Sequence, residues 1–156
     1  MTSGTIIDRV QQPAVSLVAI PHEQSDYGPS LSRLLAQRKT GSFIGADKHF
    51  LSIVVDGKKC GEIEYAYLSP QGRMFVKRSI APLTPGRIVE IISMVLDTSC
   101  KGKGYGRQAF EQFSKIYNII ILMAAPQSKK FWMKMGFVPL SGKRNYQIYR
   151  KHNGTS

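Results

Sequence analysis

The stretch from Val89 to Arg107 reads VEIISMVLDTSCKGKGYGR and decides the fold of this protein. Its first part, up to Leu96, is a mostly apolar run that indicates a buried central strand. The run leads into a glycine-rich turn that opens a helix. Glycines let backbone N–H groups approach a phosphate closely, and a helix N-terminus carries about half a positive charge. The stretch therefore predicts a phosphate cradle, which Lys101 and Lys103 would reinforce.

Two common nucleotide-binding patterns do not fit this turn. A P-loop requires Gly-Lys-Ser or Gly-Lys-Thr to reach Mg²⁺, whereas Gly104 is followed by Tyr105 and Gly106. A dinucleotide fingerprint requires an acidic residue about 20 positions after its glycines, and no Asp or Glu follows Glu111. Taken alone, the turn is compatible with a diphosphate site and with a glycine turn that binds nothing.

Outward from this stretch, the chain alternates between strand patterns and a few helix patterns. Asp56-Gly57 marks a hairpin, and Pro126 begins a helix that Gly136 ends. We predict helices at 30–39, 106–117 and 126–135, and strands at 15–20, 50–55, 59–68, 74–80, 88–96, 119–124, 137–140 and 146–149. This order predicts a single α/β (α+β) domain over residues 1–156, a mixed sheet with helices against it. Residues 1–14 read as a loosely ordered lead-in.

The composition favours anionic partners without choosing among them. The chain has 22 Lys and Arg against 10 Asp and Glu, a net charge of +12, and its 42% hydrophobic content supports a packed core. A polyphosphate cofactor, a nucleic acid, an acidic protein surface and a merely solvated basic face are all compatible with this charge. Because residues 1–20 lack the pattern of a signal peptide and no apolar stretch is bilayer-length, we expect a cytoplasmic protein.

The cysteines and histidines suggest no metal site. Cys60 and Cys100 are the only two cysteines, and their spacing matches no metal-ligand motif and no secreted disulfide framework. We therefore expect inert thiols in a reducing compartment. His22, His49 and His152 are scattered along the chain, which favours solvated or structural roles.

A second motif stands about 25 residues after the turn, where Phe131–Phe137 reads FWMKMGF. The first motif, basic-x-x-Gly-x-Gly, has Lys101, Gly104 and Gly106 at its positions. Together they resemble the acetyl-CoA-binding half of the GCN5-related N-acetyltransferase (GNAT) superfamily, whose motifs read Arg/Gln-x-x-Gly-x-Gly/Ala and Phe-Tyr-x-Lys-x-Gly-Phe. The resemblance is specific from Ile88 to Leu140 and looser over the first half of the chain.

The resemblance implies a GNAT-like fold, in which a central, mostly antiparallel sheet contains one splayed parallel pair and has flanking helices. It also implies acetyl-CoA as the donor substrate. In the family, the strand before the turn pairs with the pantetheine arm and the turn holds the pyrophosphate; in this chain, Trp132 of the later motif is expected to pack near the sulfur. The cofactor-binding residues implied here are Met94, Val95, Leu96, Lys101, Gly102, Lys103, Gly104, Tyr105, Gly106, Arg107 and Trp132.

Glu90 is the candidate catalytic residue. In the family an amine attacks the thioester directly, so a group must accept the proton of the amine. Glu90 is a carboxylate in an apolar strand, eleven positions before Lys101, which resembles the placing of the general-base glutamate in histone-acetyltransferase-like members. Burial would raise its pKa and suit it to this task. The alternative is that Glu90 lies at the solvent end of the strand or pairs with Arg87 or Lys77.

The sequence departs from the family at two positions. Trp132 stands where many members have a tyrosine that protonates the departing thiolate, and an indole N–H is not a useful acid. Ser128, Tyr105 and Tyr146 are the hydroxyl groups that would replace it, with no preference among them. Ala125 stands where the family often has an asparagine that contacts the cofactor.

Four side chains on an earlier predicted strand are weaker candidates. Glu62 and Glu64 would substitute for Glu90, although we expect them on a solvated face. Tyr65 and Tyr67 either line an acceptor groove or pack on the sheet.

The resemblance implies an N-acetyltransferase and leaves the acceptor open. We predict the lysine side chain of a protein, because Glu90 resembles the base used for that reaction. A small amine is the second possibility, and the amino group of aminoacyl-tRNA, the acceptor of GNAT toxins of similar length, is the third. The alternative of a different class is a GNAT domain that binds acetyl-CoA or nucleic acid and catalyses nothing. The oligomeric state stays open, a dimer being compatible.

Overall fold

The structure, a computed structural model, describes residues 14–26, 44–70, 72–74, 88–117, 119–140 and 146–150. These residues form one seven-stranded sheet, the two α-helices named below and several short helical turns. The strands are β1 (Val15–Ile20), β2 (Ile44–Val55), β3 (Lys58–Leu68), β4 (Ile88–Leu96), β5 (Ile119–Met123), β6 (Val138–Pro139) and β7 (Tyr146–Arg150), and the helices are α1 (Tyr105–Ser114) and α2 (Lys129–Lys134).

The strands lie in the order β1-β2-β3-β4-β5-β7-β6. Every neighbouring pair is antiparallel except β4 and β5, which run parallel. Parallel neighbours need a crossover connection, and α1 lies in the segment between these two strands. The mixed, mostly antiparallel sheet with one parallel pair and flanking helices is the predicted fold class, which is confirmed.

Both faces of the central strands are buried. On one face, Ala109, Phe110 and Phe113 of α1 pack against alternating residues of the strands, such as Ile63 and Ile91. The opposite face carries a smaller cluster around Ile121 and Ile148, with Leu68, Leu140 and Tyr146. Helix α1 packs on this face and reaches β1, and its N-terminus follows the turn after β4.

Most of the predicted elements in the described ranges are present. Strand β2 begins earlier than expected, at Ile44, and the helix predicted from Pro126 is a 3₁₀ turn followed by α2. The predicted helix 30–39, the lead-in up to residue 13 and the turn at 141–143 lie outside the described residues. So does the predicted strand 74–80, apart from Met74, which is helical.

The two cysteines form a disulfide bond, so the prediction of free thiols was wrong. Cys60 near the start of β3 and Cys100 just after β4 have Cα atoms 5.8 Å apart. They are 40 positions apart in the chain. They meet because β3 and β4 are antiparallel neighbours, which brings the start of one strand beside the end of the other. Sequence spacing alone does not reveal such a pairing.

The described part of the chain contains no helix long and apolar enough to cross a membrane. Within the same ranges, no group of three or more His, Cys, Asp or Glu side chains is arranged to hold a metal ion.

Candidate functional site

The site begins where the parallel pair of strands separates. Strands β4 and β5 are paired from Ile88–Ile119 to Ile91–Leu122, and β4 continues to Leu96 without β5 beside it. Among the described residues no other strand takes the place of β5 along this edge. The parting of the two strands opens a cleft in the middle of the sheet.

A β-bulge in β4 lies at the point of separation. On the other side of β4, the pairing with β3 changes register between Tyr65–Ile91 and Glu64–Ser93, so that Ile92 is an extra residue. A bulge bends its strand and increases the local twist, which turns the second half of β4 away from β5. A bulge of this kind leaves no trace in the hydrophobic pattern of a single strand, so the sequence did not reveal it.

The glycine-rich turn forms the mouth of the cleft. Gly102 and Gly104 have φ angles of 78° and 82°, the left-handed region that side-chain-bearing residues rarely adopt. Gly104 is the N-cap of α1, and its carbonyl accepts the first helical hydrogen bond, from the Gln108 amide. The N–H groups of the first helical turn have no intrahelical partner, so they are donors for an anion.

The end of β4 and the turn are joined to β3. The Asp97 amide donates a hydrogen bond to the Cys60 carbonyl (2.8 Å), and Cys100 is bonded to Cys60. The 3₁₀ turn Thr98–Cys100 follows Asp97 and leads directly into the glycine-rich turn. The position of the glycine turn is therefore set by β3 as well as by β4 and α1.

The cleft has a volume of about 670 Å³, and the exposed Lys101, Gly102 and Gly104 of the glycine turn are part of its lining. Its walls come from β4, the glycine turn, α1, the end of β5 and α2. The lining residues are Ile91, Ile92, Ser93, Met94, Leu96, Lys101, Gly102, Gly104, Tyr105, Gly106, Arg107, Leu122, Met123, Ala124, Ala125, Ser128, Phe131, Trp132, Lys134 and Met135. The inner part is apolar, and the cations Lys101, Arg107 and Lys134 are among its lining.

Nine of the cofactor-binding residues predicted from sequence line this cleft: Met94, Leu96, Lys101, Gly102, Gly104, Tyr105, Gly106, Arg107 and Trp132. Val95 and Lys103 do not. The carbonyl of Val95 faces the neighbouring strand instead. A Cβ added to Gly61 of β3 would collide with the Val95 carbonyl oxygen, which shows how close this carbonyl lies to β3. That carbonyl points towards β3, so the carbonyls of Met94 and Leu96 point towards the cleft.

Trp132 is almost fully buried and forms part of the wall between the cleft and the core. Its ring makes edge-to-face contacts with Phe110, Phe131 and Phe137 at centroid separations of 5.9, 5.0 and 5.3 Å. Packing of this kind fixes the indole ring in one orientation. The aromatic residues of the second sequence motif thus serve the core and the cleft together.

Glu90 lies beside the closed end of the cleft but does not line it. It pairs with Ile121 of β5, one position before the last pair of the parallel ladder, and its side chain is 1% exposed. Its neighbours Val89 and Ile91 face α1, so the carboxylate projects from the opposite face of the sheet. The alternative of a solvent-exposed Glu90 at the strand end is therefore wrong.

Glu62 and Glu64 were expected on a solvated face, and that prediction was wrong. Both belong to β3 and are 2% and 0% exposed. Ile63 and Tyr65 of β3 face α1, as do the neighbours of Glu90 in β4. Because side chains alternate along a strand, Glu62 and Glu64 lie on the same face as Glu90. We call this face, defined by Glu62, Glu64 and Glu90, the carboxylate face.

Glu62 is held by a hydrogen-bonded network. Its carboxylate accepts hydrogen bonds from Ser25 Oγ (2.6 Å), the Asp26 amide (2.7 Å) and Lys59 Nζ (2.5 Å), and Lys59 also contacts Asp26 Oδ2 at 2.8 Å. Burial by itself would raise the pKa of Glu62, but these donors outweigh burial and hold its pKa below the usual value. Glu62 therefore joins the segment after β1 to β3, a structural role.

Glu64 lies between Phe50 of β2 and Ser93 of β4 in the ladder. Ser93, which no sequence pattern singled out, lines the cleft, and within the described structure its buried hydroxyl has no hydrogen-bond partner. Ser93 is the polar side chain of β4 nearest to the bulge on the carboxylate face.

The hydroxyl groups suggested as replacements for the family's tyrosine are differently placed. Tyr105 and Ser128 line the cleft, but the Ser128 hydroxyl already donates to the Ala125 carbonyl at 3.1 Å. Tyr146 is buried on the face opposite α1, directly across from Met123, and does not line the cleft.

Tyr65 and Tyr67 belong to an aromatic cluster at the other end of β3. Tyr117 donates a hydrogen bond to Tyr65 (3.0 Å), the hydroxyls of Tyr67 and Tyr117 are 3.4 Å apart, and His49 stacks on Tyr65. Burial, followed by these hydrogen bonds, raises the pKa of Tyr117 far above its usual value. The register places Tyr67 opposite Val89, at the far end of β4 from the glycine turn, which favours the packing interpretation. His22 likewise packs against Phe50.

No protein-family model matches the chain, and no curated protein matches it.

Comparison of the fold with solved structures gives clear likenesses. The Bacillus subtilis N-acetyltransferase YlbP in complex with coenzyme A is 17% identical, covers 90% of this chain and 97% of its own, and has a TM-score of 0.58. The Escherichia coli GNAT-family N-acetyltransferase YhbS in complex with CoA is 16% identical, and the match covers 89% of this chain and 82% of YhbS with a TM-score of 0.53. Tetrahymena GCN5 is 12% identical, and the match covers 88% of this chain and 96% of GCN5 with a TM-score of 0.54. At these identities the likeness shows a shared fold.

Proposed function

We propose that this chain, which has the fold of the GNAT N-acetyltransferases, binds acetyl-CoA in the cleft between β4 and β5 and transfers the acetyl group to a primary amine. The observation that carries the proposal is the separation of the two parallel strands beyond Ile91 and Leu122, with a glycine-rich helix N-terminus at the mouth of the resulting cleft. The structures of YlbP and YhbS with CoA support the choice of cofactor.

The shape of the cleft suits a long, thin ligand with a charged head. The carbonyls of Met94 and Leu96 face an edge that no described strand covers, and the amides of a pantetheine arm would pair with it like an added strand. The apolar lining around Trp132 would contact the methylene and dimethyl groups of the arm.

The mouth of the cleft suits the pyrophosphate. The free amides of the first turn of α1 are preoriented donors, and the helix dipole favours negative charge at this end. Lys101, Arg107 and Lys134 add three cations among the lining residues. No Mg²⁺-binding pattern accompanies the turn, which favours direct contact of the phosphate oxygens with the protein.

In the reaction we propose, the lone pair of the acceptor nitrogen attacks the thioester carbonyl, the C–S bond breaks, and CoA leaves as the thiolate. As the C–N bond forms, the nitrogen becomes positively charged, and it must lose a proton to give the neutral amide; Glu90 would accept this proton. Glu90 supports this role by its burial and by its place in the register, one pair from the closed end of the cleft. With Glu90 in this role, the amine would approach the thioester from the carboxylate face.

Departure of the thiolate requires less help. A thiol has a pKa of about 8.5, so its anion is a good leaving group near neutral pH. The indole N–H of Trp132 is not an acid, and we assign Trp132 the role of fixing the sulfur end of the cofactor by packing. Tyr105 and Ser128 are the suggested replacement hydroxyls that line the cleft, and because the Ser128 hydroxyl already donates to the Ala125 carbonyl, we favour Tyr105.

For the acceptor we propose a lysine side chain of a protein. The carboxylate face carries three buried carboxyl groups. Their negative charge would attract the ammonium group of a lysine before this group gives up its proton. The net charge of +12 favours a second candidate, the amino group of an aminoacyl-tRNA, because the phosphate backbone would be attracted to a basic protein. A small polycationic amine is less favoured by the same charge.

The proposal is tested by following CoA release from acetyl-CoA with three matched acceptors: a lysine-containing peptide, an aminoacyl-tRNA and a polyamine. We expect saturable release with the peptide and a KM that changes little with salt. A KM for the aminoacyl-tRNA that rises steeply with salt, together with inert peptides, would replace lysine by RNA as the acceptor. Binding of acetyl-CoA without release for any amine would leave only the non-catalytic alternative.

A further inference from the structure

The disulfide bond between Cys60 and Cys100 lies next to the glycine turn. Cys100 is the last residue of the 3₁₀ turn after β4, and Lys101 and Gly102, which follow it, line the cleft. Cys60 is part of β3, one residue before Gly61, which pairs with Leu96. The bond therefore fixes the start of the glycine turn to the middle of the sheet.

Most of the described backbone hydrogen bonds of this segment are local. The hydrogen bond from the Asp97 amide to the Cys60 carbonyl reaches β3, whereas the bonds of the Cys100 and Lys101 amides stay within the turn, to the carbonyls of Asp97 and Thr98. Thr98, Ser99, Lys101 and Gly102 are exposed. A segment with exposed residues and local hydrogen bonds opens readily unless it is tied to the rest of the fold, and the disulfide is a covalent tie of this kind.

We propose that the Cys60–Cys100 pair is a redox modification site, and that its oxidation state sets the affinity of the cleft for acetyl-CoA. The inference rests on the proposed function for the identity of the ligand. In the oxidised form the turn is held in the conformation that binds phosphate. In the reduced form it is released, and the ligand must order it on binding, which weakens affinity.

The redox step is thiol–disulfide exchange with a small disulfide such as glutathione disulfide. A Cys thiolate attacks a sulfur of the small disulfide and expels one glutathione thiolate, and the second Cys thiolate then attacks the mixed disulfide and expels the other. Two cysteine thiols are oxidised to one disulfide, and one glutathione disulfide is reduced to two glutathiones. A dithiol reductant reverses the exchange.

Cys100 is the sulfur that reacts with the external molecule. Both cysteines are buried, at 3% and 4% exposure, so reaction requires local opening. Cys60 lies within β3 between two neighbouring strands, whereas Cys100 lies in the single turn that contains the exposed Thr98 and Ser99. Opening of this turn exposes Cys100 and leaves the sheet intact.

The test measures the affinity of the full chain for desulfo-CoA, which lacks a thiol and cannot itself reduce the bond, by calorimetry under oxidising and reducing glutathione buffers. Thiol titration confirms the state of the protein, and hydrogen exchange of the segment 97–107 reports on the turn. We expect the Kd to rise about tenfold on reduction, a change of about 1.4 kcal/mol, with faster exchange in the segment. The double variant Cys60→Ser/Cys100→Ser should bind like the reduced protein in both buffers.

Equal affinities and equal exchange in both states of the wild-type chain would overturn the inference, whether or not the double variant folds. An affinity change that persists in the folded double variant would overturn it as well, because the buffer and not the bond would be responsible. Absence of desulfo-CoA binding in both states would count against the proposed function, and the exchange of the segment 97–107 would then decide by itself whether the bond holds the turn.

Discussion

Ile91 of β4 and Leu122 of β5 are the last pair of the parallel ladder, and the cleft opens directly beyond them. The β-bulge at Ile92 stands next to this pair, on the side of β4 that faces β3. One irregularity in one strand thus creates the gap, exposes a strand edge within it, and places Glu90 beside its closed end.

Replacement of Glu90 by glutamine is expected to lower kcat about 100-fold, since a general base contributes at least that factor. The affinity for acetyl-CoA should be unchanged, because Glu90 does not line the cleft. The exposed Glu111 of α1 is the matched control, and Glu111→Gln should keep full activity. Steady-state kinetics with CoA detection and calorimetry separate the two effects. Equal release of CoA by the wild type and Glu90→Gln with every amine would refute the assignment.

Replacement of Gly104 by alanine is expected to weaken acetyl-CoA binding about tenfold, or about 1.4 kcal/mol. Gly104 has a φ of 82°, and the strain of a side chain there, about 1–2 kcal/mol, distorts the N-terminus of α1. Gly57, in the hairpin between β2 and β3, has a φ of 75° and equally open surroundings. Gly57→Ala should lose similar stability in urea unfolding but bind acetyl-CoA normally. Equal affinities of the two variants would show that the turn conformation does not matter for binding.

Replacement of Glu62 by glutamine is expected to lower the free energy of unfolding by about 2 kcal/mol at pH 7, because three donors, one of them charged, lose a carboxylate acceptor. The pKa of Glu62 is lower in the folded protein than in the unfolded chain. Its contribution to stability is therefore complete above the unfolded pKa of about 4.3 and is lost as the pH falls through the folded pKa.

Urea unfolding of the wild type and Glu62→Gln between pH 7 and pH 3 measures this dependence. The difference between the two curves should shrink only at the acid end of the range. A difference that stays constant down to pH 3 would show that the carboxylate charge of Glu62 contributes nothing.

Replacement of Trp132 by phenylalanine is expected to leave kcat within about threefold of the wild-type value, since the indole N–H is not an acid that the reaction uses. The KM for acetyl-CoA should rise, because a smaller ring leaves space beside Phe110 and Phe137. Initial rates at varied acetyl-CoA separate the two parameters. A fall of kcat by two orders of magnitude with unchanged KM would give the indole a direct part in the chemistry.

The sequence by itself determined the half of the molecule that forms the cleft. Two glycines with positive φ, a strand before them and an aromatic helix after the next strand are local patterns, and each element forms for reasons contained in its own residues. This is why the order of elements followed from the residues between Ile88 and Leu140, whereas most of the lining of the cleft was implied by the family resemblance of this stretch. Glu90 was singled out as a polar residue in an apolar strand and is buried, and its catalytic role stays a prediction.

The tertiary structure decided what depends on neighbouring strands. Alternation tells which residues of a strand share a face but not whether that face is covered, so Glu62 and Glu64 were expected in water and are buried. The register of β3 against β4 brings Cys60 to Cys100, and the bulge at Ile92 opens the cleft. Such relationships join residues far apart in the chain, and their energies belong to the pairing of strands rather than to any one segment.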